Sequence, residues 1–307
     1  MKKTILLMMI LVLCFVGVSF AADNAPASAG AFTTPPTLPT LDPGQNLGNT
    51  DSMFDLGKYL GGSEISVRST FVTKSKWYGV DWFNGKGAMG LGVNYQFPKF
   101  TSLDSYVGFD YENWSPLGYN SNAVAEEAKQ NNYKIYYVQN LWSKEVYQTQ
   151  VTVSGTYYDF TDAKNGENGQ EFGVGLAFPE LFNWGANGRL VPSAYYGRVW
   201  DLAIDAPNRT VNKYTGDVYV AGLDYYKTLS DTMLLDVYTK INYSDGLVSD
   251  ESEFTDATVG VLTDIKLAKG TTVTPFVNYV YYFDQSISNR GNADGDVWGG
   301  VTLRFKF

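Results

Sequence analysis

The chain has 307 residues, with 23 basic and 32 acidic residues, a formal net charge of −9, one cysteine and no histidine. An acidic chain does not seek nucleic acid or anionic lipid surfaces. The absence of histidine removes the usual general base and the usual metal ligand. The composition therefore weighs against a nucleic-acid-binding protein and against most hydrolases, and we predict no cofactor and no metal site.

Residues 1–21 have the pattern of a secretory signal peptide. A basic start (1–3) precedes an apolar run (5–18) and a small-x-small site that ends at Ala21. We expect cleavage after Ala21, and the alternatives are a retained membrane anchor and a lipid attached to Cys14. Cleavage removes two lysines and no acids, so the net charge changes from −9 to −11. The mature chain then has no cysteine, which excludes disulfides and thiolate chemistry.

The composition of residues 22–62 predicts a disordered, Pro-rich periplasmic tether. They are rich in Ala, Thr, Pro, Asn and Gly up to about Thr50 and cannot bury a core, so an extended, polyproline-like chain is expected. Ser52 is placed to cap a short helix that ends at Gly61 and Gly62. A frayed turn is the alternative for this short segment.

From Ser63 onward the sequence alternates apolar and polar residues with the period of a β-strand. In the first segment, for example, Val67 and Phe71 fall on one face and Arg68 on the other. The fourth segment is aromatic on both faces, so its phase is left open. We predict about twelve strands, near 63–72, 87–97, 102–113, 132–142, 145–160, 170–178, 189–200, 216–227, 231–243, 255–267, 271–283 and 296–307.

The connections between these segments alternate in length. Short periplasmic turns and longer extracellular loops are typical of outer-membrane β-barrels. A soluble β-sandwich or propeller also has alternating strands and is the structural alternative. The predicted turns are 98–101, 143–144, 179–188, 228–230 and 268–270, and the predicted loops are 73–86, 114–131, 161–169, 201–215, 244–254 and 284–295.

Aromatic residues make up 16% of the chain, and tyrosine is the most frequent of them. Rings with one apolar and one polar end suit the two interfaces of a membrane. We place Trp77, Trp82, Trp114, Tyr157, Trp200, Tyr281 and Trp298 near the outer rim, and Phe97, Trp142, Phe178, Trp184, Phe305 and Phe307 near the inner rim.

The last segment has Val301, Leu303, Phe305 and Phe307 on one face and polar residues on the other. It resembles the C-terminal strand of bacterial outer-membrane β-barrels, whose last residue is typically aromatic. The resemblance implies a single antiparallel transmembrane β-barrel from 63 to 307 in the outer membrane of a bacterial cell. It also implies that Phe305 and Phe307 form an assembly signal, and that the partners are the barrel-assembly machinery, outer-membrane lipid and lipopolysaccharide.

The inward face is predicted to carry charges of both signs. These charges either line a pore or pair across the lumen and hold the wall together. Small inward residues favour an open lumen, because they leave space: Gly90, Gly92, Gly108, Gly173, Gly175, Ala177 and Gly260. The candidate lumen-lining residues are Arg68, Asp104, Asp110, Glu171, Arg198, Asp236, Lys240, Asp264, Arg304 and Lys306.

In architecture the chain is similar to small twelve-stranded channels such as nucleoside-specific or oligosaccharide-specific porins. The resemblance implies a passive channel for small polar solutes, and the alternative is a non-conducting structural or surface-interaction barrel. An enzyme is not expected, although Asp236 and Asp264 form a conceivable acid–base pair. The acidic segments 245–256 and 292–296 are expected to be solvated, and divalent cations bridging to lipopolysaccharide are the alternative.

Overall fold

The computed structural model describes residues 63–74, 76–77, 80–81, 86–100, 104–117, 129–142, 145–160, 168–185, 188–203, 213–247, 252–283 and 295–307. The predicted signal peptide, tether and short helix fall in residues 1–62, which lie outside the described residues. So do Trp82 and the side chain of Trp77. The part of the chain that is described has no helix long and apolar enough to cross a membrane.

The alternating segments form β-strands because β-branched and aromatic residues fit a pleated, half-buried surface. The strands are β1 (Glu64–Val72), β2 (Lys76–Trp77), β3 (Val80–Asp81), β4 (Ala88–Gln96), β5 (Ser105–Pro116), β6 (Gln130–Leu141), β7 (Thr149–Asp159), β8 (Gly169–Ala177), β9 (Phe182–Asn183), β10 (Arg189–Ala203), β11 (Lys213–Ser230), β12 (Met233–Asp245), β13 (Ser252–Ala268), β14 (Thr271–Tyr282) and β15 (Gly295–Lys306).

Twelve of these strands form one closed antiparallel barrel. Neighbours along the chain pair in turn, β10 pairs with β11, and β15 pairs with β1 to close the ring. The short β9 adds two pairs to the start of β10, and β2 and β3 form a separate ribbon. The predicted all-β, twelve-stranded barrel is therefore confirmed. A sandwich or propeller is excluded, because neither closes a single sheet on itself.

Successive residues of each strand alternate between an outward face and the lumen. On β1, Val67 and Phe71 are exposed, whereas Arg68 and Thr70 between them are buried. The outward face forms an apolar belt, which only lipid can cover without cost. Its exposed members include Met89, Leu91, Val93, Phe109, Ile135, Phe172, Leu176, Val237, Val259, Val277, Val297, Val301 and Phe305.

The structure fixes the phase of the segment that is aromatic on both faces. On β6, Tyr133 and Ile135 are exposed and face outward, and Val138 is buried on the opposite face. Tyr133 contacts Tyr111 and Tyr157 on the two neighbouring strands, with ring centroids 5.2 Å and 6.3 Å away. A row of tyrosines therefore forms part of the outer surface here, as expected for an interfacial girdle.

The two ends of the barrel differ. We call the end that holds Glu64 and Phe307 the terminal end and the opposite one the loop end. At the terminal end the backbone N–H of Phe307 donates to the carbonyl of Ile65 at 2.9 Å. At the loop end Lys74, two residues after β1, forms an ion pair with Asp296 on β15. We predict that the terminal end faces the periplasm.

Candidate functional site

Three neighbouring strands, β1, β4 and β5, bring an ion-paired group into the lumen. Arg68 Nη1 and Nη2 donate to the two carboxylate oxygens of Asp110 at 2.8 Å and 2.7 Å, and Nη2 also donates to Glu112. Arg68 is only 4% exposed. Bidentate Arg–carboxylate geometry is among the strongest polar contacts in proteins. We call Arg68, Asp110 and Glu112 the paired wall.

A glycine makes this contact possible. In the strand register Arg68 lies opposite Gly92 on β4, and Gly92 lies opposite Glu112 on β5. A Cβ atom at Gly92 would lie 2.7 Å from Cζ and Nε of Arg68. The guanidinium therefore passes over Gly92 to reach β5.

The same arrangement recurs at other inward glycines. A Cβ at Gly108 would lie 2.2 Å from the ring of Tyr136, and one at Gly260 would lie 2.4 Å from the ring of Tyr238. The predicted open space above these glycines is therefore not found, because each holds a large side chain from a neighbouring strand. Close contacts of this kind are made by Gly90 with Trp114 and by Gly173 with Tyr195.

On the other side of the lumen, β10, β11 and β12 carry Arg189, Asp224, Asp236 and Lys240. The strands β5 and β12 are six places apart in the ring of twelve and therefore face each other. None of these four residues forms an ion pair within 4.0 Å in the described part of the chain. We call them the unpaired wall.

Tyrosine rings hold the cations of the unpaired wall. The guanidinium of Arg189 lies 5.1 Å from the ring centroid of Tyr226, and Nζ of Lys240 lies 5.1 Å from that of Tyr238. Both are cation–π distances. Asp236 is only 4% exposed, and its Oδ1 has no hydrogen-bond partner among the described residues.

Most of the remaining predicted lumen residues also lie on the inward face. Lys306 pairs with Glu64 at 2.7 Å near the terminal end, and Arg304 lies opposite Arg68 in the register. Asp264 accepts a hydrogen bond from Thr274 Oγ1 at 2.5 Å. The contacts of Lys306 and Asp264 tie neighbouring strands together along the wall.

The inward carboxylate of Glu171 has tyrosine partners. The hydroxyls of Tyr158 and Tyr195 donate to its two oxygens at 2.6 Å and 2.5 Å. These hydrogen bonds compensate for the removal of a buried carboxylate from water.

Asp104 departs from its predicted place within a strand. It lies in the turn just before β5, with a φ of 46°, and its carbonyl accepts the backbone N–H of Asn140 at 3.0 Å. Aspartate tolerates this left-handed conformation better than most residues. Asp104 is therefore a turn residue at the terminal end rather than part of the lumen wall.

Arg198 requires a correction, because it faces outward. It lies opposite the exposed Phe172 in the register, and directly opposed residues share a face. Arg198 Nη1 pairs with Asp217 Oδ2 at 2.7 Å, and the Tyr196 hydroxyl donates to Asp217 Oδ1 at 2.7 Å. Alternation alone does not decide which face of β10 points inward, because Tyr195 and Tyr196 are adjacent and chemically alike. The structure shows that Tyr195 is the inward ring. Arg198 therefore lies on the outward face, where Asp217 neutralises it.

An apolar layer occupies the loop end of the lumen. Leu247 is fully buried, and a Cβ at Gly216 would lie 2.4 Å from its backbone nitrogen. The backbone after β12 thus turns inward and lies against the inner face of β11. This segment was predicted to be a polar loop. The layer comprises Val72, Ala88, Trp114, Val199, Val218, Leu247 and Trp298, which belong to one packed cluster.

Two of these rings were expected elsewhere. Trp114 and Trp298 were placed at the outer rim, but both are buried and face the lumen.

Likewise, Asp256 of the predicted acidic loop is an inward strand residue, and its two oxygens accept from Asn242 Nδ2 at 2.9 Å. Residues 248–251 and 292–294 of the acidic segments lie outside the described residues. The described residues contain no group of three or more acidic, histidine or cysteine side chains that is placed to hold a metal ion.

No protein-family model matches this sequence, and no curated protein matches it either. Among solved structures, a KdgM porin is similar with a TM-score of 0.44 and 12% identity, over 79% of this chain and 99% of that one. A NanC porin is similar with a TM-score of 0.46 and 9% identity, over 79% of this chain and 100% of that one. An outer membrane channel from Pseudomonas putida F1 is similar with a TM-score of 0.49 and 9% identity, over 80% of this chain and 95% of that one. The assignment of the fold rests on the closed barrel and its apolar belt.

Proposed function

We propose that this β-barrel of the bacterial outer membrane is a passive channel for small polar solutes. The observation that carries the proposal is the pair of charged walls on opposite sides of the lumen. A barrel of twelve strands is wider than the eight-stranded barrels whose interior side chains fill completely. Charges that face one another across such a lumen need water between them, and a hydrated belt favours polar solutes.

The partners that follow are lipid and lipopolysaccharide outside and an unidentified solute inside. We propose that Phe305 and Phe307 form the signal read by the barrel-assembly machinery. We further propose that the protein is not an enzyme. The chain has no histidine, and Asp236 and Asp264 lie opposite leucines rather than each other in the β12–β13 register.

Planar-bilayer recording of the purified full chain tests the channel. Discrete conductance steps with a mild preference for cations are expected, because acidic residues outnumber basic ones. Proteoliposomes should also take up small polar solutes, and uptake should fall steeply with solute size. A folded, inserted protein that gives neither current nor uptake would contradict the proposal.

One observation favours the second candidate, a non-conducting structural or surface-interaction barrel. The apolar layer with Leu247 lies at the loop end of the lumen, and apolar constrictions close pores by excluding water. On this reading the charges stabilise the wall, and the surfaces at the ends of the barrel carry the function.

Two variants separate the candidates. In a channel, Leu247→Ser makes the constriction polar and should raise the open probability or the conductance. Deletion of residues 22–62 should leave conductance unchanged or increase it. If the wild type, the Leu247→Ser variant and the deletion variant are all folded and all silent, the structural barrel is the better description.

A further inference from the structure

The charges of the unpaired wall are arranged unlike the charges elsewhere in the lumen. In the strand register Tyr226 on β11 lies opposite both Arg189 on β10 and Asp236 on β12. Tyr238 lies opposite Asp224 and beneath Lys240, so the four charged residues share one region of the wall. No two of Arg189, Asp224, Asp236 and Lys240 are in contact as an ion pair. Charges removed from bulk water normally find a partner, because an unpaired one is costly.

The buried hydrogen-bonding groups that have no partner among the described residues include both donors and acceptors. Among the residues that the structure describes, Asp236 Oδ1 is a buried acceptor without a partner, and Nε and Nη2 of Arg189 are buried donors without one. Asn278 is 1% exposed, and its Oδ1 accepts from the Tyr238 hydroxyl at 2.5 Å. Its Nδ2 has no hydrogen-bond partner in the described ranges. Tyr238 thus contacts both Lys240, through its ring, and Asn278, through its hydroxyl, so that Nδ2 of Asn278 lies beside the unpaired wall.

The tyrosine rings explain why the charges do not pair with each other. Arg189 lies over Tyr226 and Lys240 lies over Tyr238, and each ring offers its negative face to a cation. The cations are held on the rings, and the described residues provide no ion pair for the carboxylates of Asp224 and Asp236.

We propose that the unpaired wall is a binding site for a small zwitterionic solute that carries an ammonium group and a carboxylate. The ammonium group, with three donors, binds at Asp224 and Asp236. The carboxylate binds at Arg189 and Lys240, and the solute lies along Tyr226 and Tyr238. A solute with one charge would leave the groups of the opposite sign without a partner. This inference rests on the proposed channel, because the solute reaches the site through the lumen.

Binding is measured with three probes of matched length: 5-aminopentanoate, pentylammonium and pentanoate. Calorimetric titration of the full chain in detergent micelles is the readout, so that it does not depend on conductance. We expect 5-aminopentanoate to bind roughly tenfold or more tightly than either probe with one charge, since each charge-assisted contact contributes to affinity. Equal binding of pentylammonium and 5-aminopentanoate, or no binding of any probe, would overturn the proposal.

Variants of the wall should change probe preference in opposite directions. Asp236→Asn should lower 5-aminopentanoate affinity roughly tenfold and bring it close to that of pentanoate. Arg189→Gln should lower the affinity for 5-aminopentanoate until it is close to the affinity for pentylammonium. The outward residue Arg198 provides the control, because Arg198→Gln alters a charge of the same type without touching the lumen. Unchanged probe preference in Asp236→Asn and Arg189→Gln would refute the site.

The failure of this inference is distinguishable from the failure of the channel. Micelle binding with a silent bilayer would preserve the site and refute the channel. Conductance without selective binding would preserve the channel and refute the site. Heat-modifiable migration of each variant on gels checks that the barrel is folded.

Discussion

The paired wall and the unpaired wall use the same kinds of residue to opposite effect. On β1 and β5, one arginine satisfies two carboxylates through direct hydrogen bonds. On β10 to β12, two cations lie on tyrosine rings, and two carboxylates form no ion pair with any residue that the structure describes. The difference shows that the neighbours of a charge in a barrel lumen decide whether it is paired within the wall, and we propose that the unpaired charges are the ones available to solutes.

The largest expected effect of any single change is the loss of Arg68. Arg68→Ala removes a buried guanidinium and leaves the partly buried Asp110 and Glu112 without their three charge-assisted hydrogen bonds, which should cost about 3–5 kcal/mol of unfolding free energy. Urea unfolding in lipid vesicles measures this cost. The control is Arg198→Ala, which removes a partly exposed ion pair and should cost about 0–1 kcal/mol. Equal costs for the two variants would mean that the paired wall is not a stabilising element.

A smaller effect is expected at the glycine beneath Arg68. In Gly92→Ala the added methyl group meets the guanidinium, so the ion pair shifts and about 1–3 kcal/mol should be lost. Gly155→Ala is the matched control, because a Cβ there meets only a methyl group of Ile135, at 3.9 Å. The same urea titration compares the two variants. If Gly92→Ala lowers the free energy of unfolding no more than Gly155→Ala does, Gly92 is not needed to make room for the Arg68 side chain.

The smallest effect on stability should come from the unpaired wall. Asp236→Asn removes a buried charge that has no ion pair, so the free energy of unfolding should be unchanged or increase. Asp110→Asn is its counterpart on the paired wall and should cost about 1.5–3 kcal/mol, because it weakens charge-assisted hydrogen bonds. If Asp236→Asn lowers the free energy of unfolding more than Asp110→Asn does, the charges of the unpaired wall contribute more to stability than those of the paired wall, contrary to the prediction.

Sequence periodicity was sufficient to predict the barrel, and it failed where two adjacent residues were chemically alike. Alternation of apolar and polar residues located twelve strands, because one face meets lipid and the other faces the lumen. At Tyr195 and Tyr196 either ring could face inward. The polar Arg198 was therefore taken for a lumen residue, although it is neutralised by Asp217 on the outward face.

The candidate site was harder to predict, because its contacts depend on register between distant segments. Arg68 and Asp110 are 42 residues apart, and only the pairing of β1, β4 and β5 shows that they meet across Gly92. Arg189 was missed, and its neighbour on the same face, Val191, gave no help, because an apolar residue indicates the lipid side by alternation whereas Val191 is buried on the inward face. Leu247 was missed because it lies in a polar segment, and nothing local indicates that this segment turns inward.

The seam between β1 and β15 has a consequence for the order in which the barrel is made. Thr70 and Thr302 bond across this seam at 3.0 Å, although 232 residues separate them in the chain. Closing so long a loop is entropically costly, and it comes after the local hairpins have formed. Until then β1 and β15 present unpaired backbone edges, which attract other chains in water and cost several kcal/mol per group in lipid. Ring closure is therefore the step at which the nascent protein most needs protection, and slowing it should divert chains into aggregates before any lumen exists.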